Sequence, residues 1–110
     1  MATKQSAGKA LTGTLTDIYT VPDHKTAEWI LVYITNTSGS NGSYTLKYYD
    51  ASESATLPVL DGYTISSKSF FQIGGNYNEF IMMEAGDKIQ ASGTQSGTIL
   101  VSVIERNSYR

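Results

Sequence analysis

The feature that most constrains the fold is a two-residue alternation of apolar and polar side chains within short segments. Residues 43–49 ("SYTLKYY") place Tyr44, Leu46 and Tyr48 on one side and Thr45 and Lys47 on the other. A strand with one buried face has this period, whereas an amphipathic helix repeats about every 3.6 residues. The segment "GTILVSVIE" near the end of the chain alternates in the same way. Both segments therefore predict β-strands.

Turn-forming residues separate the apolar segments along the whole chain. Pro22, Asn41-Gly42, Pro58 and Asp61-Gly62 recur between them, and Asn-Gly and Asp-Gly pairs tolerate the positive φ of tight turns. Turn signals at a spacing of about 8–12 residues are typical of sandwiches and barrels. The sequence predicts an all-β chain: a single antiparallel β-sandwich, jelly-roll or Ig-like, with seven to nine short strands.

The length of 110 residues fits one domain with one hydrophobic core. Because the first ten residues are polar and lack a clear apolar face, residues 1–11 are predicted to form a flexible or partner-binding N-terminal arm. The β-sandwich domain is predicted over residues 12–106. Residues 107–110 are predicted to be a C-terminal tail.

Composition excludes several classes of function. The net charge is −2 and the eight Lys and Arg residues are scattered, so no basic surface is predicted for direct nucleic acid binding. No cysteine is present, which excludes disulfides and cysteine-ligated zinc. No apolar run approaches the length that spans a bilayer, and the first ten residues lack the apolar centre of a signal peptide. The sequence predicts a protein made in a cytoplasm, with no membrane partner.

One cluster of titratable residues invites a catalytic interpretation. Asp23, the single histidine His24, Lys25 and Glu28 lie within six positions, and a nucleophile–base arrangement needs such groups in contact. The alternative is a turn, in which Pro22 fixes φ and the polar residues form the exposed tip. The turn is the favoured interpretation, so no catalytic residue is predicted.

Metal and cofactor sites are not predicted either. One histidine and no cysteine leave carboxylates as the ligands, and these suit calcium or magnesium. Asp50, Glu53 and Asp61 are close in sequence but lack the regular spacing of a calcium loop. The chain is therefore predicted to hold no metal and no cofactor, and not to be an enzyme.

Two strands depart from the rule that one face is apolar and the other polar. In "WILVYI", alternation sets Trp29, Leu31 and Tyr33 opposite three further apolar residues, and the last strand carries Leu100 and Ile104 opposite its core face. An antiparallel sheet with one solvated face should have polar residues there. A long loop or a neighbouring subunit is expected to cover this outer face.

The predicted partner-binding residues come from the arm, from this outer face and from one further tyrosine. They are Lys4, Gln5, Lys9, Leu11, Trp29, Leu31, Tyr33 and Tyr49. A second hypothesis uses aromatic residues as a stacking platform for sugars, although in β proteins such residues more often fill cores and cross-strand pairs. Its members are Tyr48, Tyr49, Tyr63, Phe70, Phe71 and Tyr77.

Four phrases of the chain carry a resemblance to a known family. "LTGTLTDIYTVPDHKTAEWILVYITNTSGS", "LPVLDGYTISSKSFFQI", "EFIMMEAGDKIQASG" and "GTILVSVIE" resemble, in this order, the small β-sandwich virion structural proteins of tailed bacteriophages. The resemblance covers most of residues 11–105 and rests on turn and core signatures. It departs at "PDHK", where a glycine-bearing turn is usual, so it gives His24 no role.

The resemblance implies a structural protein without chemistry of its own. The expected role is that of a capsid decoration (cement) protein, which stabilises a bacteriophage head by bridging major capsid protein subunits. The alternatives are a tail, neck or fibre-adaptor component and a carbohydrate-binding β-sandwich module. The expected partners are the major capsid protein and copies of the chain itself, as a trimer or other homo-oligomer, with a surface glycan as a further possible ligand. The expected location is the virion, assembled in the host cytoplasm.

Overall fold

The computed structural model describes residues 3–74 and 81–108, with residues 3 and 4 described by their backbone only. Nine β-strands occur in these ranges: β1 (Thr3–Leu11), β2 (Thr16–Thr20), β3 (Lys25–Asn36), β4 (Gly42–Asp50), β5 (Ala55–Ile65), β6 (Phe70–Gly74), β7 (Ile81–Glu84), β8 (Lys88–Gly93) and β9 (Gly97–Asn107). None of the described residues forms a helix that could cross a membrane. Residues 79 and 80, the first two of the phrase "EFIMMEAGDKIQASG", and the last two residues of the predicted tail lie outside the described residues.

The strands form two packed antiparallel sheets. Sheet A has the order β1-β9-β3-β6, and β7 pairs with β3 beyond the end of β6. Sheet B has the order β2-β8-β4-β5. The prediction of an antiparallel β-sandwich with seven to nine strands is confirmed.

The core lies between the sheets and follows the alternation seen in the sequence. Its largest fully buried apolar side chains come from both sheets: Trp29, Tyr44, Ile34, Leu46, Met83, Ile89, Ile99, Val21, Val32, Val101 and Val103. Full burial of a side chain of this kind contributes about 1.5–3 kcal/mol. The inner faces of β4 and β9 are those that the sequence predicts.

The N-terminal segment was predicted to be a flexible or partner-binding arm. Thr3–Leu11 form β1, an edge strand paired with β9 in unbroken antiparallel register from Thr3–Glu105 to Leu11–Gly97, so they are not a flexible arm, and the partner-binding alternative stays a prediction. Only Leu11 is buried and Ala7 half-buried among its described side chains. Main-chain hydrogen bonds to β9 therefore hold most of β1, and such bonds leave little apolar pattern in the sequence. At the other end, Asn107 belongs to β9 rather than to a tail.

A β-bulge in β3 changes which face Trp29 occupies. Trp29 pairs with Val103 and Leu31 with Ser102, so Ile30 is an extra residue with no opposite partner on β9. A bulge reverses the alternation beyond it, and Trp29 therefore points into the core, where it is 0% exposed. Its Nε1 donates a hydrogen bond to the Leu31 carbonyl (3.0 Å). The placement of Trp29 on the outer face was wrong because it assumed uninterrupted alternation.

Asp87 joins three parts of the chain at one end of the sandwich. Its carboxylate accepts hydrogen bonds from the Tyr48 hydroxyl (2.6 Å), the Glu84 amide (2.8 Å) and the Ala51 amide (2.9 Å). The residue is only 3% exposed. Buried carboxylates are tolerated where donors satisfy them, so Asp87 fixes the β7–β8 turn against the end of β4.

Candidate interaction surface

The titratable cluster around the histidine is divided between an exposed turn, which holds Asp23 and His24, and strand β3, which holds Lys25 and Glu28. Asp23 and His24 are exposed, and His24 has a φ of 64°, a left-handed conformation that glycine adopts most readily. The His24 carbonyl accepts a hydrogen bond from the Ser108 amide (2.8 Å), while Lys25 Nζ donates to Asn107 Oδ1 (3.2 Å). These contacts close the end of the sandwich.

The chemistry available around this turn is limited. A cleft of about 380 Å³ is lined by His24, Lys25, Thr26, Glu84, Ala85 and Ser108. No three His, Asp or Glu side chains in the described ranges come together in a group that could hold a metal ion. The cleft is bounded by a turn and a chain end, and no hydrogen bond in it joins a base to a nucleophile among the described residues. It offers no organised catalytic geometry.

Two tyrosine–carboxylate pairs lie within the sandwich. Tyr19 donates its hydroxyl to Glu105, which is buried, and Tyr48 donates to Asp87. Burial and, secondarily, the bonded carboxylate raise the pKa of Tyr19 and of Tyr48 above the ordinary tyrosine value. The neutral phenol is therefore the stable donor to each carboxylate. The first pair links β2 of sheet B to β9 of sheet A, and the second links β4 of sheet B to the β7–β8 turn.

Three of the large apolar side chains that are exposed among the described residues lie on the side of sheet A that faces away from the core. The register of β3 with β9, β6 and β7 brings one set of apolar side chains together there. We call this set the apolar face: Leu31, Tyr33, Phe70, Met82, Leu100 and Ile104. It is built from four strands, β3, β6, β7 and β9, and the central pair β3–β9 contributes four of its six members.

Exposure along the apolar face is high for large apolar side chains. Phe70 and Met82 are each 55% exposed and Leu100 is 45% exposed, while the other three members are half-buried. The rings of Tyr33 and Phe70 stack with centroids 4.9 Å apart and an interplanar angle of 6°. Several large exposed apolar side chains on one face of a sheet are a feature of interaction sites.

Polar or small residues border the apolar face on the β1 side and interrupt it at one end. There, Glu28 lies between Met82 and Ile104 in the register, and its Oε2 forms an ion pair with Arg106 Nε (2.5 Å). On the β1 side, Ser6 Oγ and Ser102 Oγ are 3.0 Å apart, and Gly8 lies beside Leu100. An apolar centre with a polar rim is the usual arrangement of a protein–protein interface.

The structure divides the predicted partner-binding residues into several groups. Leu31 and Tyr33 lie on the apolar face, as the alternation predicted for them. Leu11 lies in the core with 6% exposure, and Trp29 is fully buried, so neither offers a surface in this fold. Gln5 and Lys9 are exposed on β1.

The remaining two predicted residues lie elsewhere. Tyr49 is on the outer side of sheet B, with Lys88 Nζ 5.6 Å from its ring centroid. Lys4 is described by its backbone, paired with Ile104, and its side chain lies outside the described residues. The predicted set is therefore not one surface but at least three.

Sequence reasoning did not assign Phe70 and Met82 to the partner-binding set. Phe70 pairs with Thr35 and Met82 with Glu28, so their place beside Leu31 and Tyr33 depends on strand order. Leu100 and Ile104 were recognised by alternation on the outer side of β9 but were not included. Leu100 pairs with Tyr33 and Ile104 with Glu28, so both lie on the same side of sheet A as Leu31 and Tyr33.

The aromatic residues proposed as a sugar platform do not lie in one plane. Tyr33 and Phe70 cover one face of each other's ring, and Tyr63 meets Phe71 at 58° with centroids 5.1 Å apart. Tyr48 points into the sandwich toward Asp87. Tyr77 lies outside the described residues.

Comparison with known proteins identifies the fold. No protein-family model and no curated protein matches the chain. A chain from Bacillus endospore appendages, described as a novel family of disulfide-linked pili, superimposes with a TM-score of 0.59 and 14% identity, over 99% of this chain and 88% of that one. A chain of the IBDV viral particle superimposes with a TM-score of 0.51 and 6% identity, over 97% of this chain.

These likenesses are structural and concern the sandwich itself. The present chain spans 36% of the length of the IBDV chain. It has no cysteine, so the disulfide linkage of the endospore appendages has no counterpart within its own sequence. At these identities the likeness shows a shared β-sandwich fold.

Proposed function

We propose that this chain is a non-enzymatic structural protein of a virus particle, specifically a decoration (cement) protein of a bacteriophage head. In this role it bridges neighbouring major capsid protein subunits. The observation that carries the proposal is the apolar face, which is exposed across four strands of sheet A. The sequence resemblance and the fold likeness to a viral-particle chain and a pilus chain, both from assemblies of many subunits, support it.

The energetics of the apolar face favour a bridging role. Phe70, Met82 and Leu100 are each about half exposed, so completing their burial contributes about 1 kcal/mol each. A sum of about 3 kcal/mol offsets only part of the cost of association, about 4–15 kcal/mol. One such contact is weak. Contacts to two capsid subunits at once, or between linked copies, raise the effective affinity without new chemistry.

The apolar face would also be the contact surface of a tail, neck or fibre-adaptor component. In that alternative, a different virion protein covers it. In either location the partners are other virion proteins and copies of this chain, as a trimer or another homo-oligomer. The carbohydrate-binding alternative has less support, because the stacked and tilted rings of the described aromatic residues form no coplanar row. A glycan array with the purified chain tests it: binding that is lost in Phe70→Ser would favour that function over the proposed one.

A particle-binding assay with variants of opposite sheets tests the proposal. Particles produced by the genome that encodes this chain, prepared without it, are mixed with the wild type, the Phe70→Ser/Leu100→Ser double variant, or Tyr49→Ser on the outer side of sheet B as the matched control. Loss of about 2 kcal/mol predicts about 30-fold weaker binding for the double variant. Tyr49→Ser should bind as the wild type does. Binding that depends on Tyr49 and not on the double variant would overturn the assignment of the interface.

A further inference from the structure

The four sheet edges of the described residues differ in how they are protected. β2 has five residues and a register shift after Asp17. β5 contains Pro58, two register shifts against β4, and Gly62 with a φ of 65°. The far edge of sheet A is divided between β6 and β7, with five and four residues. Short, bulged or proline-bearing edges resist pairing with other chains.

The edge formed by β1 is neither short, bulged nor interrupted by proline, and its protection is limited to Lys4 and Lys9, since charged side chains on an edge also oppose pairing. It is nine residues long, contains no proline, and pairs with β9 without a register shift. Within the described ranges, no main-chain hydrogen bond reaches its outer edge, and Gln5, Ser6, Gly8, Lys9 and Ala10 are exposed. An edge strand leaves a row of unpaired N–H and C=O groups, which is a template for another strand.

We propose that β1 pairs with β1 of a second copy of this chain, antiparallel and about a two-fold axis at Ala7, so that sheet A continues across two chains. This deepens the self-association included in the proposed function, and it requires no particle. A two-fold contact is self-complementary and closes after two copies. It predicts a dimer as the unit in solution rather than a trimer.

The position of the axis follows from length and charge. Ala7 is the middle residue of Thr3–Leu11, so this register pairs the whole strand. It sets Gln5 opposite Lys9 of the second copy, where the amide oxygen can accept from the ammonium group. An axis at Lys9 would instead place two lysines directly opposite each other and shorten the overlap, and like charges in opposed positions destabilise a sheet.

The side chains near the axis allow the strands to approach. With the axis at Ala7, Ser6 lies opposite Gly8 of the second copy, and none of these three residues is bulky. Ser6, Gly8 and Ala10 share the outer side of sheet A with Leu100. The joined sheet would therefore carry both apolar faces on one side of the dimer. That arrangement provides the paired contacts that the weak single face requires.

Single cysteine variants test this geometry, because the natural chain has no cysteine. Directly opposite residues of antiparallel strands have Cα atoms about 4.5–5.5 Å apart, within the range of a disulfide. Gln5→Cys and Lys9→Cys, both at exposed positions, should give no covalent dimer when oxidised separately, since identical positions lie about 13 Å apart along the strands. An oxidised mixture of the two should give one, and Ala7→Cys alone should also give one.

Light scattering of the unmodified chain completes the test, with a dimer expected. Tryptophan fluorescence confirms that each variant is folded. A monomer that forms no covalent dimer in the Gln5→Cys plus Lys9→Cys mixture overturns the pairing, as does equal cross-linking of either variant alone. A monomer that still binds particles would remove this inference and leave the proposed function. A β1-paired dimer that does not bind particles would support this inference and contradict the proposed function.

Discussion

The contribution of Asp87 to stability can be worked out from its three hydrogen bonds. Asp87→Ala removes the acceptor of the Tyr48 hydroxyl and of the Ala51 and Glu84 amides. Hydrogen bonds to a charged group contribute about 1.5–3 kcal/mol each, with a penalty when buried donors are left unpaired. Because the two amides lie close to the surface, where water can replace the carboxylate, the expected loss is about 3 kcal/mol rather than the full sum.

Urea unfolding measures this loss. The single tryptophan, Trp29, is fully buried, so its fluorescence reports the opening of the core. A loss of about 3 kcal/mol corresponds to a midpoint lower by about 1–3 M urea. Asp87→Asn keeps the shape and one acceptor oxygen, and should lose about 1–2 kcal/mol.

Asp50→Ala is the matched control, because it removes an aspartate at the same end of the sandwich. Asp50 Oδ1 accepts from the amide (3.2 Å) and hydroxyl (2.8 Å) of Ser52 in an exposed turn. Its removal should cost less than about 1 kcal/mol. If Asp87→Ala destabilises the chain no more than Asp50→Ala does, the three hydrogen bonds are not the reason for the buried carboxylate.

Three further predictions concern the backbone and the buried phenols. Tyr19 and Tyr48 have folded-state pKa values raised above the unfolded value of about 10. The stability that the two neutral phenols contribute is therefore fully present below pH 10 and is lost as the pH rises above it. Unfolding experiments at alkaline pH should show a smaller loss of stability for the Tyr19→Phe/Tyr48→Phe double variant than for the wild type. Gly74 has a φ of 86°, and an alanine there would place its Cβ 2.1 Å from the Ile30 carbonyl oxygen. Calorimetry should therefore show a melting temperature lower by several degrees for Gly74→Ala. Gly13→Ala is the control, because nothing lies near Gly13, and it should leave the melting temperature nearly unchanged. His24→Gly relieves a left-handed φ and should leave stability equal or raise it by up to about 1 kcal/mol; clear destabilisation would contradict the role given to this turn.

The sequence predicts those strands in which the alternation of apolar and polar side chains is enough to identify the face that packs in the core. β4 and β9 alternate without interruption where their core residues lie, and both were found. Asp61-Gly62 was interpreted as a turn between apolar segments, but the residues on both sides of it belong to one strand, β5, whose register shifts and the positive φ of Gly62 keep it paired with β4. β1 was missed because main-chain pairing with β9, almost one hundred residues away, holds it.

The interaction surface was predictable only in part, for the same physical reason. Alternation is a property of one strand, and it placed Leu31, Tyr33 and Leu100 correctly. The bulge at Ile30 depends on the pairing of β3 with β9, so the sequence placed Trp29 on the wrong side. Phe70 joins the surface through the position of β6 beside β3, which depends on the order of strands in the sheet.

The proposed function requires the apolar face to be covered in an assembled virion. Electron microscopy of the particle with this chain in place tests it most directly, at a resolution that separates the two sheets. The account predicts that Phe70, Met82 and Leu100 contact the major capsid protein on the head surface, and that the outer side of sheet B faces solvent. A particle in which the apolar face is open to solvent while sheet B or another part of the chain makes the contact would contradict it.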